Sequence, residues 1–374
     1  MGFTFDDTDK SGEATPLLEM RSLIENNPKN QERIFPYLGS DELNSSPTQA
    51  HHRYVINFAQ MDEPNARAGW PDLIEIVEKK VKPSRLAQNR EIRAKYWWRF
   101  GEPAPALFTA LRDVEERERH GRQRVLATGR VSQYGCFAFL PTNIVPSEGL
   151  VIIVSSGFAA LCALQARVHT LWTRFLASSF KDDPRYTPSD CFETFPFPAG
   201  WESEASLEAA GAAYNEFRAR LLIENDEGLT DIYNRFHTPD LDLSDPKNRG
   251  IPRLRELHAA MDRAVLDAYG WTNIPTDCIF DLEYEIDEKE YEDKKKPWRY
   301  RWPAEVREEV LARLLELNKK RAEEEQLMGE AAAKSSRAGN LPDERVPLAK
   351  RGAKTARPAK KPKLDVADMF DPKK

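Results

Sequence analysis

Long apolar runs, paired cysteines and clustered histidines are scarce in this 374-residue sequence, and each shortage removes a class of function. No apolar stretch approaches the roughly 18–20 residues that cross a bilayer, and Leu150–Val154 is strand-sized. The opening MGFTFDDTDK is acidic and has no apolar core, so no export signal is read in it. The myristoylation pattern fails at Asp6, where Ser or Thr is required. A cytoplasmic protein is the expectation. Four cysteines (Cys136, Cys162, Cys191, Cys278) lie 26 or more residues apart, without the close pairs that metal sites use. They read as buried reduced thiols. His51–His52 is the single histidine pair; neighbouring side chains diverge and chelate poorly, so it reads as polar loop.

Catalytic signatures are also missing. No glycine-rich turn follows a strand in the manner that holds S-adenosylmethionine, and no Asn/Asp-Pro-Pro-aromatic loop grips an amine. Asn27-Pro28-Lys29 lacks the second proline and the aromatic. Neither a phosphate-gripping P-loop nor a two-carboxylate nuclease site with a trailing lysine is recognisable. Catalysis by this chain alone is not expected, and no catalytic or metal-ligating residue is assigned.

What is present is an ordinary globular balance, 40% hydrophobic and 31% charged, long enough for two or three cores. The net charge of −6 hides an asymmetry, because residues 331–374 hold 12 Lys or Arg against 5 Asp or Glu. A globally acidic chain can still hold nucleic acid through a local basic groove. Residues 1–75 show turn chemistry and a strand at Tyr54–Phe58 but no evident closed core. They read as a segment that packs against something else, and an exposed apolar face there would point to a partner. Helices are expected at Ile74–Lys82, partly at Arg85–Arg99, and around Phe108–Arg119. Residues 124–154 carry β-branched and aromatic runs split by Gly129, Gly135, Pro141 and Pro146. Phe158, Leu161, Leu164, Val168, Leu171 and Phe175 then share one face of a helix of about 22 residues, with Ser155 or Ser156 placed to cap it. Further helices are expected around 207–221, between Pro252 and Gly270, and over Ala304–Leu327. Beyond about residue 329 little is left to bury, so disorder is expected.

Two segments offer base-reading side chains on a structured support. TGRVSQYG (128–135) presents Arg130, Ser132, Gln133 and Tyr134 between glycines. SSFKDDPRYTPSD (178–190) presents Lys181, Arg185, Tyr186, Thr187 and Ser189 after a helix end. These residue types hydrogen-bond base edges and phosphates. The alternative for each is structural: Arg185 pairing Asp182 or Asp183, Tyr186 sitting in the core. Tyr96-Trp97-Trp98 reads as a packing anchor ahead of a base-stacking platform. Alternating Phe and Pro in FETFPFP (192–198) reads as a structural exit from a domain, since proline cannot extend a ladder. The basic KTARPAKKPK (354–363) would hold phosphates nonspecifically or be solvated.

The stretch RYTPSDCFETFPFP (185–198) resembles the end of the target-recognition domain of MmeI-like (type IIG–IIL) adenine-specific DNA methyltransferases of restriction–modification or phage-defence systems. YWWRFGEPAPALFTAL (96–111) and RVLATGRVSQYGCFAFLP (124–141) resemble the same domain. LRELHAAMDRAVLDAYGW (254–271) and WRYRWPAEVREEVLARLLELN (298–318) resemble the family's helical C-terminal region. The resemblance implies an α+β fold: a β-rich target-recognition domain with a long packed helix, then a helical C-terminal region and a disordered basic tail. Its expected divisions are 1–78 (end of a methyltransferase domain or linker), 79–200 (recognition), 201–328 (helical) and 329–374 (tail). It further implies double-stranded DNA as partner, with a target adenine flipped out for N6 methylation. S-adenosylmethionine is implied for the complete enzyme and not for this chain, whose partner would be a separate or upstream catalytic polypeptide. The competing expectations are an orphan DNA-binding or interaction protein, a truncated remnant, or an enzyme of unrelated chemistry.

Overall fold

Residues 2–101, 105–117, 123–176, 178–180, 183–283 and 296–338 are described by the computed structural model. Two compact units divide the chain, Met1–Ala322 and Glu323–Lys374, and the fold below is that of the first. In chain order it runs β1 (Thr4–Phe5), α1 (Leu17–Asn26), β2 (Ile34–Leu38), α2 (Ser40–Ser45), β3 (Arg53–Ile56), α3 (Glu63–Gly69) and α4 (Pro71–Lys80). Next come α5 (Lys82–Leu86), α6 (Glu91–Lys95), α7 (Pro105–Arg117), β4 (Arg124–Gly129), β5 (Phe137–Pro141), β6 (Val145–Pro146) and β7 (Leu150–Ile153). Then follow α8 (Phe158–Gln165), α9 (Arg167–Leu176), β8 (Ser178–Phe180), β9 (Asp183–Arg185) and α10 (Pro188–Cys191). Last are α11 (Ala205–Asn225), α12 (Leu229–Phe236), α13 (Ile251–Ala268), β10 (Ile279–Leu282), β11 (Trp298–Arg301) and α14 (Ala304–Ala338). The fold is mixed α and β, with strand concentrated in 124–153 instead of dominating the recognition region. In the second unit, Glu323–Ala338 is helical, and its side chains are exposed from Glu323 through Met328. Helix thus extends past the expected tail boundary, and residues 339–374 lie outside the described residues.

Phe3, Phe5, Tyr37, Val55, Phe58 and Leu73 close a hydrophobic core near the N-terminus, contrary to the expectation of none. The reason is visible in what completes it: Trp97, Trp98 and Val145 come from outside the segment. The Trp98 indole N–H is satisfied by the Met61 carbonyl at 2.9 Å, so this aromatic cluster packs inward. The sheet beside it has the order β1-β3-β2-β6, antiparallel except for the parallel pair β2–β6. In α4, Pro71 sits in the first turn, Leu73, Ile74 and Val77 form the buried stripe, and Lys79 and Lys80 complement the C-terminal dipole.

The second core is built on the antiparallel sheet β5-β4-β7. Helix α8 is buried from Ala159 to Gln165 and so has no polar face. Gly211 of α11 permits its close approach: a Cβ there would lie 2.1 Å from the Phe158 carbonyl oxygen. The single long helix expected over 155–176 is two helices, broken at Ala166 (φ −64°, ψ 153°). Asp262 of α13 causes the break to be tolerated. Its Oδ1 accepts the Arg167 backbone N–H at 2.8 Å, and its Oδ2 accepts from Arg167 Nη1 at 2.5 Å. Helix α9 therefore begins on a carboxylate supplied from elsewhere, as helix N-termini favour. The start of α8 is handled alike. Neither Ser155 nor Ser156 caps it; Gly157 stands at the cap, and Glu208 of α11 accepts the Ala159 N–H at 2.8 Å.

Candidate nucleic-acid interface

The link between β4 and β5 returns through Gly135, whose φ of 57° suits a residue without a Cβ. Arg130, Ser132, Gln133 and Tyr134 occupy that link. Residues Asp183–Arg185 run beside it: Val131 bridges Arg185 antiparallel, Arg130 accepts the Tyr186 N–H at 2.8 Å, and Pro184 accepts the Ser132 N–H at 3.5 Å. The two segments singled out in the sequence are thus one surface.

Their side chains divide by exposure. Gln133, Arg185 and Ser189 are exposed. Arg130, Ser132, Tyr134 and Thr187 are half-buried, and Lys181 lies outside the described residues. Arg130 is oriented by donating its Nε–H to the Glu148 carbonyl at 2.8 Å. Ser132 Oγ accepts the Gly135 N–H at 3.3 Å, stiffening the turn. Thr187 stands at the N-terminus of α10. Tyr186 corrects the expectation of a DNA contact. It is 7% exposed, and its hydroxyl meets His169 Nε2 at 3.1 Å inside the core. Its role is that of an anchor, holding Arg185 and Thr187 on either side of it at the surface.

Tyr134 faces the helical region. It donates its hydroxyl to Asn234 Oδ1 at 2.7 Å and stacks on His237 with centroids 5.0 Å apart. Behind it lies a buried polar chain. Arg218 donates to the Tyr214 hydroxyl at 2.7 Å, Tyr214 meets Tyr233 at 2.5 Å, and Tyr233 meets His258 Nε2 at 2.8 Å. An arginine can only donate, so the Tyr214 hydroxyl accepts from Arg218 at the inner end of this chain. Burial, reinforced by Arg167 and Arg218, holds His258 well below the usual histidine range, which keeps it neutral.

Sequence reading missed the arginines gathered here: Arg167, Arg174, Arg299, Arg301 and Arg307, around a cavity of about 100 Å³. Its one local signal is the alternation Trp298-Arg299-Tyr300-Arg301-Trp302, which places arginines at strand period two. The cysteines are free; Cys136, Cys162 and Cys191 are buried and Cys278 is half-buried. Burial pushes the Cys136 and Cys278 thiols up to about 12.

The unit is mixed α/β, and it presents Arg130, Ser132 and Gln133 from the β4–β5 link beside Arg185 at the end of β9. Residues 15–199 match the family model described as "MmeI, target recognition domain". The type IIL restriction–modification enzyme MmeI, solved in complex with DNA, is similar over 85% of this chain at 18% identity and a TM-score of 0.48. The similarity covers 34% of that enzyme's chain, so this chain spans about a third of its length. No curated protein matches.

Proposed function

We propose that this chain is the DNA sequence-recognition part of a S-adenosylmethionine-dependent adenine-N6 methyltransferase of a restriction–modification or phage-defence system. The observation that carries the reading is the Val131–Arg185 bridge, which makes one surface of two separate segments inside a span of the target-recognition family. Arg130, Gln133, Arg185 and Ser189 are the proposed contacts, with Ser132 and Thr187 at their margin. Lys181 completes the proposed set. Tyr134 supports the surface from behind.

In this reading the described residues supply no cradle for S-adenosylmethionine. Among the described residues, a glycine stands directly before a helix that follows a strand at Gly39 and at Gly157. Each helix start is already occupied by a carboxylate: Glu42 accepts the Gly39 N–H at 2.9 Å, and Glu208 accepts the Ala159 N–H at 2.8 Å. Methyl transfer in this reading belongs to a methyltransferase domain outside these residues, in the same polypeptide or in a separate one.

Selection from random duplex DNA at about 50 and 200 mM salt tests the reading, because phosphate-only binding collapses over that range. A short enriched motif that survives the higher salt, and loses definition in Arg185→Ala with Gln133→Ala, supports it. Binding that enriches nothing and vanishes with salt refutes it. One observation favours the second reading, an orphan DNA-binding or interaction protein. Leu18 is the sole strongly exposed large hydrophobic among the described residues of 1–75, so that segment offers no broad apolar face to a catalytic partner. Motif enrichment unchanged by an added methyltransferase polypeptide would favour it.

A further inference from the structure

The cavity behind Tyr134 is lined by five arginines, and no Asp or Glu among the described residues lines it. Carboxylates do pair with these arginines from outside the lining. Asp262 holds Arg167, Glu283 holds Arg174 and Arg299, and Asp281 holds Arg301 and Arg307. Among the described residues the guanidinium groups still outnumber them, five to three, which leaves an excess of positive charge there.

Three N–H groups of lining residues have no hydrogen-bond partner among the described residues: Arg167 Nη2, Arg299 Nε and Trp302 Nε1. Their residues are 9%, 7% and 1% exposed. Guanidinium and indole nitrogens donate only, so what would satisfy them is an acceptor. Buried donors are normally partnered, and departures ask for an explanation. The neighbouring imidazoles add no competing charge. Burial depresses His237 well below the usual histidine range, followed by Arg299, Arg167, Arg174 and Arg255. His237 Nδ1 already accepts the Tyr300 N–H at 3.0 Å. About 100 Å³ is several times the roughly 10–15 Å³ that one water needs.

We propose that this cavity is an oxyanion site that takes a phosphate group, with Arg167, Arg299 and Trp302 donating to its oxygens and Arg307 at its edge. A tetrahedral, multiply charged acceptor suits several forked guanidinium groups better than a neutral molecule does. The phosphate has two sources of identical chemistry, a free phosphate compound or the backbone of nucleic acid. The site does not depend on the DNA-reading proposal, because inorganic phosphate alone tests it.

The full chain is titrated with sodium phosphate against sodium chloride at matched ionic strength, with binding followed by calorimetry and by the thermal transition. Saturable binding specific to phosphate is expected. Trp302→Phe removes one donor and keeps the ring, and is expected to weaken binding about tenfold. Arg307→Gln, whose side chain contacts Asp281 only at 3.4 Å, is a second variant that leaves the buried pairs intact and is expected to weaken it severalfold. No phosphate-specific signal with the unmodified chain overturns the proposal, leaving water as the occupant. Undiminished phosphate affinity in the folded Arg307→Gln protein also overturns it, since the ion would then sit elsewhere. With binding established, loss of the phosphate signal on prior saturation with duplex DNA assigns the site to the DNA backbone. Simultaneous binding assigns it to a free phosphate compound.

Discussion

Replacing Asp262 by asparagine isolates the charge that starts helix α9. In the native protein Asp262 is fully buried and accepts from both the Arg167 backbone and its guanidinium, at 2.8 and 2.5 Å. Burial raises the Asp262 carboxyl pKa, and Arg167 opposes that rise. Asparagine keeps the shape and one carbonyl acceptor for the Arg167 N–H, so the capping bond, worth about 1 kcal/mol, survives. What is lost is the countercharge to a guanidinium 9% exposed, and breaking a buried pair by removing one partner costs about 3–5 kcal/mol. The expected loss is therefore about 3 kcal/mol for Asp262→Asn and about 1 kcal/mol more for Asp262→Ala, which also loses the cap. Urea unfolding followed by far-ultraviolet circular dichroism measures both. Replacing the pair together, Arg167→Met with Asp262→Leu, should recover most of the loss, because two apolar side chains leave no stranded charge. An Asp262→Asn protein within about 1 kcal/mol of the parent would refute the dependence of the buried Arg167 on this countercharge.

Acid should destabilise the fold earlier than carboxylate titration alone. Burial lowers His169 to about 3 and lowers His237 and His258 well below their usual range. The unfolded chain takes up protons near pH 6.5 that the folded one refuses, so stability is full above that pH and falls below it. The slope reaches about 1.4 kcal/mol per pH unit for each histidine. Equal urea midpoints at pH 7.5 and pH 5.5 would count against this, both values being about one unit from the ordinary histidine pKa. Gly211→Ala should destabilise by at least about 1–3 kcal/mol despite the better helix propensity of alanine, because the contact is with backbone that cannot rotate away. A raised thermal midpoint in that variant would contradict the close α8–α11 approach. Thiol labelling of the native protein should modify Cys278 slowly and leave Cys136, Cys162 and Cys191 untouched, with all four reacting in denaturant. Rapid native labelling of Cys162 would mean that α8 opens.

The sequence alone located α4, α11, α13 and the start of α14, because apolar spacing, an early proline and a terminal glycine are local signals that sit within one helix length. It also marked Trp97, Trp98 and Phe195 for burial, which only size and context require. Both candidate DNA-facing segments were legible too, as residue types in an order that resembles one family. Tertiary structure decided the rest. It joined residues 130–134 to 184–187 and turned Tyr186 into the core. It split one amphipathic stripe at Ala166, through a carboxylate 95 residues away in sequence. It also gathered arginines from α9, β11 and α14 around one cavity. Side-chain periodicity tells which face a residue takes along its own element. It carries no information about which distant acceptor satisfies a backbone N–H, or which guanidinium groups share a space.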